Sequence, residues 1–110
     1  MLPKVNRLTK KKDFDAVFKG GKTLKYGFLI FKMAANNVSQ SRFGFVVSKK
    51  ISTKATVRNL VKRRLRGAVE KELRPFKTPQ DVVILTLSGI QKQDFITIRE
   101  SIKNFFKYHA

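Results

Sequence analysis

Apolar residues recur at helical spacing near both ends of the chain and at strand spacing between them. Phe14, Val17 and Phe18 lie three and four apart, which predicts a short helix from Lys10 to about Lys19. Thr9 stands at its N-cap position, and Gly20-Gly21 marks its stop. A run rich in Phe, Leu and Ile from Tyr26 to Ala34 predicts a strand. Asn36-Asn37 and Ser39-Gln40-Ser41 then read as a turn and a polar loop. Phe43, Phe45 and Val47 alternate within a second strand, Arg42 to Ser48. A basic loop, Lys49 to Thr53, leads to a long helix from about Ala55 to Leu73, which Pro75 would stop. Asp81 opens the most apolar strand, whose consecutive aliphatics from Val82 predict burial on both faces and a central place in the sheet. Gly89 breaks the chain. Asp94 or a neighbour starts a last helix with Phe95, Ile98, Ile102, Phe105 and Phe106 on one stripe.

The predicted order is αββαβα, a small sheet interleaved with helices. That is an α/β (or α+β) two-layer sandwich. With 110 residues the chain has material for one core, so residues 1–110 are read as a single domain. Hydrophobic residues make up 42% of the chain and include ten Phe, far more than a disordered basic tail carries. There is no cysteine, which excludes disulfides and Cys-ligated zinc and suits a reducing compartment. No apolar signal region follows Met1-Leu2-Pro3-Lys4, and the run Phe28 to Phe31 is too short to span a bilayer. The expected setting is the cytoplasm, with no membrane contact.

Charge changes the picture most. Twenty-five Lys and Arg against seven Asp and Glu give a net charge of +18. Between Asp15 and Glu70 there is no acidic residue but thirteen basic ones. Candidate partners are nucleic acid, an anionic membrane surface or an acidic protein. Counterion release on phosphate neutralisation favours nucleic acid.

The basic residues are also ordered. At about 100° per residue, Val57, Leu60, Val61, Leu65 and Ala68 share one arc of the long helix and are expected in the core. Arg58, Asn59, Lys62, Arg63 and Arg66 share another arc, with Arg64 near the apolar boundary. Like charges at i,i+4 cost a few tenths of a kcal/mol each, roughly, in the free helix. A polyanion would reverse that cost. The bland alternative is a solvated basic face, but the acid-free interval removes its usual salt-bridge partners.

These residues resemble a known family. Ser48-Lys49-Lys50, then Lys54-Ala55-x-Val57-Arg58-Asn59-x-x-Lys62-Arg63-x-Leu65-Arg66, is similar to the signature of the bacterial ribonuclease P protein subunit. Arg7-Leu8 followed by Lys12-Asp13-Phe14-x-x-Val17-Phe18-Lys19-x-Gly21 resembles that family's opening helix, and Asp81-Val82-Val83-Ile84 its last strand. Leu60 stands where the family commonly has Arg, and Gly67 where a Glu often follows. A glycine there costs the helix about 1 kcal/mol relative to Ala and invites a kink.

The resemblance implies a left-handed βαβ crossover, and a catalytic RNA partner that uses Mg²⁺ to cut precursor tRNA at the mature 5′ end. The protein would bind that RNA through Arg58, Asn59, Lys62, Arg63 and Arg66, extended by Lys49, Lys50 and Lys54. It would hold the 5′ leader of precursor tRNA in a cleft lined by Phe14, Phe18, Leu29 and Phe31, where aromatic faces stack on unpaired bases. The alternative for each Phe is ordinary core packing.

The chain supplies no evident acid–base pair of its own. The one His, His109, lies beside the C-terminus. Asp13 and Asp15, like Glu70 and Glu72, are two apart on a helix and do not face each other. No metal or protein partner is implied by side chains. Among rivals, a ribosomal protein or RNA chaperone has no reason to carry this motif, and a DNA-binding regulator lacks a helix at helix-turn-helix spacing. A membrane-active peptide would have no strands. A self-sufficient ribonuclease would need the missing acid–base pair.

Overall fold

In the computed structural model, which describes residues 2–74 and 76–109, helix α1 (Lys11–Gly20) precedes strands β1 (Lys22–Tyr26), β2 (Leu29–Ala35) and β3 (Arg42–Val46). Helix α2 (Ala55–Glu72), strand β4 (Gln80–Thr86) and helix α3 (Phe95–His109) complete the chain. The sheet order is β1-β2-β4-β3. β1–β2 and β2–β4 are antiparallel, while β3 and β4 are parallel and joined through α2.

β4 sits inside the sheet, as its unbroken aliphatic run predicts: Val82, Val83 and Ile84 are all buried. The extra strand is β1, so the order is αβββαβα. Its residues Lys22-Thr23-Leu24-Lys25-Tyr26 carry too few apolar positions to stand out as a strand. What folds them back is a two-residue connection, since Tyr26 pairs with Leu29. Gly27 has φ of 58° and supplies the positive φ that the first central residue of such a tight hairpin turn needs.

Alternation along β2 sorts its side chains. Leu29, Phe31 and Met33 face the α2–α3 layer, where they meet Val61, Leu65, Ala68 and Val69 of α2 and Ile98, Ile102, Phe105 and Phe106 of α3. The Phe31 and Phe105 rings stack 4.2 Å apart. Burial of each such side chain stabilises the fold by about 1.5–3 kcal/mol. The other face bears α1 over β2 and β4. There Leu8, Val17 and Val83 form a second cluster with Phe14, Ala34, Val46 and Leu85.

The N-terminal segment blunts the open edge of β3. Arg7 bridges Phe43 in parallel, the Leu8 N–H donates to the Phe43 carbonyl at 2.9 Å, and Leu2 is fully buried. Asp81 ties β4 to its surroundings. It accepts two hydrogen bonds from Arg42 (2.8 and 2.7 Å) and one from the Asn36 amide (2.8 Å), while Arg42 also reaches Asp13 of α1 at 3.4 Å. The hydrogen bond to Asp81 holds the Arg42 guanidinium above the ordinary arginine pKa, against the opposing effect of burial.

Two local expectations change. Lys10, not Thr9, caps α1, and its side chain makes no capping bond. The first helix therefore begins without the predicted Thr hydroxyl cap. α2 runs unbroken through Gly67 to Glu72. A Cβ at position 67 would find Phe95 at 3.7 Å, an ordinary contact, so the helix there is held by packing on α3. The stop assigned to Pro75 lies outside the described residues. At the last helix, the Asp94 carboxylate accepts from the Thr97 N–H at 2.8 Å, as the N-terminal reading expects.

Candidate nucleic-acid interface

The basic arc of α2 divides in two. Asn59, Arg63 and Arg66 are exposed and, with Gly67 and Glu70, line an open hollow of 580 Å³. Arg58 and Lys62 are half-buried on the flank beside Val69. Arg58 turns back to donate to the Ser52 carbonyl at 2.9 Å, so it braces the basic turn as well as lending charge. Lys49, Lys50 and Lys54 project from that turn, all exposed. The Ser52 hydroxyl accepts from the Lys54 N–H at 3.1 Å and shapes the entry to α2.

Leu60 is not a core residue. It is 36% exposed, because the buried arc is centred between Val61 and Val69 and Leu60 lies roughly 130° from that centre. Val69 takes the place assigned to it. Arg64 reaches across to the segment that precedes α3, where it donates to the Gln93 carbonyl at 3.4 Å. It stands apart from the exposed arc, as its position on the wheel predicts.

A second surface lies between α1 and the sheet. Phe18 is 40% exposed and has the Lys32 ammonium 5.7 Å from its ring centre. Phe14 is half-buried over Gly44 of β3. Leu29 and Phe31 do not join them. Both are fully buried on the opposite face, in the α2–α3 core, so neither lines a cleft with α1. A one-residue change of parity moves a strand residue to the other face of the sheet. The β2 residue beside Phe18 is Lys32, and Ile30 shares its face of the strand. Register extends Ile30 into a row across the sheet, Lys25–Ile30–Leu85–Val46, whose members are half-buried or exposed. Sequence reasoning missed this row. Lys32, the lone charge inside an apolar strand, was the signal that its alternate set faces water.

The two surfaces meet at the β3 edge. Arg7, Phe14, Phe45 and Arg66 line a pocket of 110 Å³ there, so arginines of the N-terminal segment and of α2 flank the aromatic ring of α1. The arrangement offers guanidinium and ammonium groups for phosphates and aromatic and aliphatic faces for unpaired bases.

Several of the acids are held in structural pairs. Asp13 and Asp81 are engaged with Arg42, and Glu72 with Arg99 at 2.7 Å. Hydrogen bonding from Thr97 holds the Asp94 carboxyl below its ordinary pKa. His109 is ordered in the last turn of α3, within 2.7 Å of the Tyr26 hydroxyl. Among the described residues no three His, Asp or Glu side chains are grouped to hold a metal ion, and no helix is long and apolar enough to cross a membrane.

Comparison with known proteins gives the family and the fold. The Ribonuclease P family model matches residues 2–110. The ribonuclease P protein component of Syntrophomonas wolfei is 37% identical over 95 residues, covering 86% of this chain and 79% of its own. That of Caldanaerobacter subterraneus is 35% identical over 107 residues, covering 97% and 91%. Among solved structures, the RNase P protein from Thermotoga maritima superposes with a TM-score of 0.82 at 30% identity, over 94% of this chain and 97% of that one. The Staphylococcus aureus RNase P protein shares the fold with a TM-score of 0.82 at 22% identity, over 94% of each chain.

Proposed function

The chain belongs to the ribonuclease P protein family, and from that premise we propose that its two basic surfaces divide the RNA between them. It is a subunit of the ribonucleoprotein that matures the 5′ end of tRNA. Its partners are the ribonuclease P RNA, which performs catalysis, and the tRNA substrate. On our reading the exposed arc of α2 binds the catalytic RNA, and the groove between α1 and the sheet takes the 5′ leader of precursor tRNA.

The observation that carries the second assignment is Phe18. A large aromatic ring left 40% exposed, with a lysine over it and a half-open row of Ile30, Leu85 and Val46 on the same face of the sheet as that lysine, suits stacked bases with phosphates alongside. Such a groove has no hydrogen-bonding code and tolerates a variable leader sequence. Arg63, Arg66 and Asn59 suit the RNA backbone, with Lys49, Lys50 and Lys54 extending the phosphate contacts from the turn and Lys62 and Arg58 from the flank. Arg7 and Arg66 span the junction of the two surfaces, where a strand passing from one to the other would be held.

Mg²⁺, in this proposal, would be held by the RNA and would supply charge stabilisation at the phosphodiester being cut. The protein's part is to hold the leader and neutralise phosphates, in the cytoplasm where precursor tRNA is made. The test compares precursor with mature tRNA on holoenzyme carrying Phe18→Ala. Precursor affinity should fall about tenfold with mature tRNA unchanged, in line with loss of one stacking face. Equal losses on both RNAs, or none, would remove the leader from this groove.

A further inference from the structure

At the far end of the sheet from the basic turn, an open groove of 720 Å³ runs between the end of α1, the ends of β2 and β4, and the last turn of α3. Lys22, Ala34, Phe76, Lys77, Tyr108 and His109 are among its lining, and none of the described residues that line it is acidic. Tyr108 stands at the rim, 65% exposed. It lies off the stripe of Ile98, Ile102, Phe105 and Phe106 that anchors α3, so core packing does not account for it. Its position is nonetheless fixed: the next residue, His109, is bonded to Tyr26 and packs on Phe105.

The groove continues the α1 cleft. Lys32 and Ala34 share one face of β2; the first meets Phe18 and the second lines the groove, as does Gly20 at the end of α1. A strand lying past Phe18 toward the end of β2 therefore arrives between Lys22 and Lys77. We propose that this groove is a second single-stranded RNA site, holding leader nucleotides farther from the cleavage point than those at Phe18, with Lys22 and Lys77 on phosphates and Tyr108 under a base. The assignment rests on the cleft reading for the identity of the RNA. Two ammonium groups with no carboxylate among the described lining residues suit a polyanion, and the exposed Tyr108 ring, with the Lys107 ammonium 5.5 Å from its centre, suits an unpaired base with its phosphate.

The experiment uses holoenzyme assembled from this protein and a bacterial ribonuclease P RNA, with precursor tRNAs whose leaders are of graded length. Wild type should gain affinity as the leader extends beyond the α1 cleft. Tyr108→Ala should lose about tenfold on the long leader and nothing on the short one. Lys22→Ala with Lys77→Ala should lower the salt slope by about 1.4 on the long leader alone. Lys103→Ala, an exposed change of charge elsewhere on α3, controls for the general field and should leave the length dependence intact. If wild type shows no gain with length, or if the groove variants keep it, the groove does not bind the leader. The cleft reading fails separately, when Phe18→Ala leaves short-leader affinity unchanged. All three groove side chains are peripheral, and unchanged thermal unfolding of each variant would confirm that the comparison is between folded proteins.

Discussion

Replacing Gly44 by Ala tests how α1 is seated, and the structure sets both size and sign. A Cβ at this position falls 2.6 Å from Cε1 of Phe14, closer still to Cζ, and 3.3 Å from Leu8 Cβ. The ring must move, and α1 with it or around it. Forced overpacking of this kind costs about 1–3 kcal/mol. Against that, Ala in a strand is favoured over Gly by roughly 0.5–1 kcal/mol. Gly44→Ala should therefore destabilise the protein by about 0.5–2 kcal/mol in urea unfolding, with the midpoint moving and the slope constant.

In a Phe14→Ala background the obstructing ring is gone and the same change should be neutral or slightly stabilising. The coupling energy of the double-mutant cycle should then equal the overpacking cost, about 1–3 kcal/mol. In holoenzyme, Gly44→Ala should also weaken binding of precursor more than mature tRNA, because it displaces the wall of the leader groove. If Gly44→Ala has the same sign and size in both backgrounds, Phe14 does not pack over Gly44 and the described seat of α1 is wrong.

Other outcomes follow from the same structure. Asp81→Ala leaves the Arg42 guanidinium without its two-bond partner and should cost about 3 kcal/mol, read from thermal unfolding; a loss under a few tenths would mean the Arg42–Asp81 pair is loose. The folded-state pKa of Asp94 is depressed, so its charge adds stability above its ordinary value of 3.8, and that contribution is lost as pH falls through the lower folded value. Wild type should thus lose more stability than Asp94→Asn on acidification below 3.8, and parallel curves would refute the cap. Arg63→Ala with Arg66→Ala should lower the salt slope of catalytic-RNA binding by about 1.4–1.8, since both are exposed; an unchanged slope would mean they face only solvent.

Much of this architecture is legible in the residues. The two long helices carry a helical period in their apolar positions, and the central strand from Asp81 an unbroken aliphatic run. The hairpin of β1 is not so marked. Its strand alternates Leu24 and Tyr26 with lysines and threonine, and Phe28-Leu29-Ile30-Phe31 draws the strand reading across the turn. Gly27, at the first place of a two-residue connection, was the available sign.

The face of β2 that pairs with α1 was legible only in part. Leu29, Phe31 and Met33 are apolar, but so are Ile30 and Ala34, because both faces of the sheet are covered. Only Lys32 separates the sets. Leu60 shows a different limit. A helix wheel gives the direction of an apolar arc, but which flank is covered depends on the neighbouring helix, and α3 begins at Phe95 beside Gly67 while Leu60 is left exposed. The cationic motif of α2 was legible as a motif, whereas the half-burial of Arg58 depends on the path of the turn at Ser52.

The most direct test of the account is reconstitution: purified protein, a bacterial ribonuclease P RNA and precursor tRNA with a labelled 5′ leader, at Mg²⁺ too low for the RNA alone to act well. The protein by itself should leave the precursor intact, and with the RNA it should restore cleavage at the mature 5′ end. Binding of the RNA without any gain in cleavage, or cleavage by the protein alone, would contradict it.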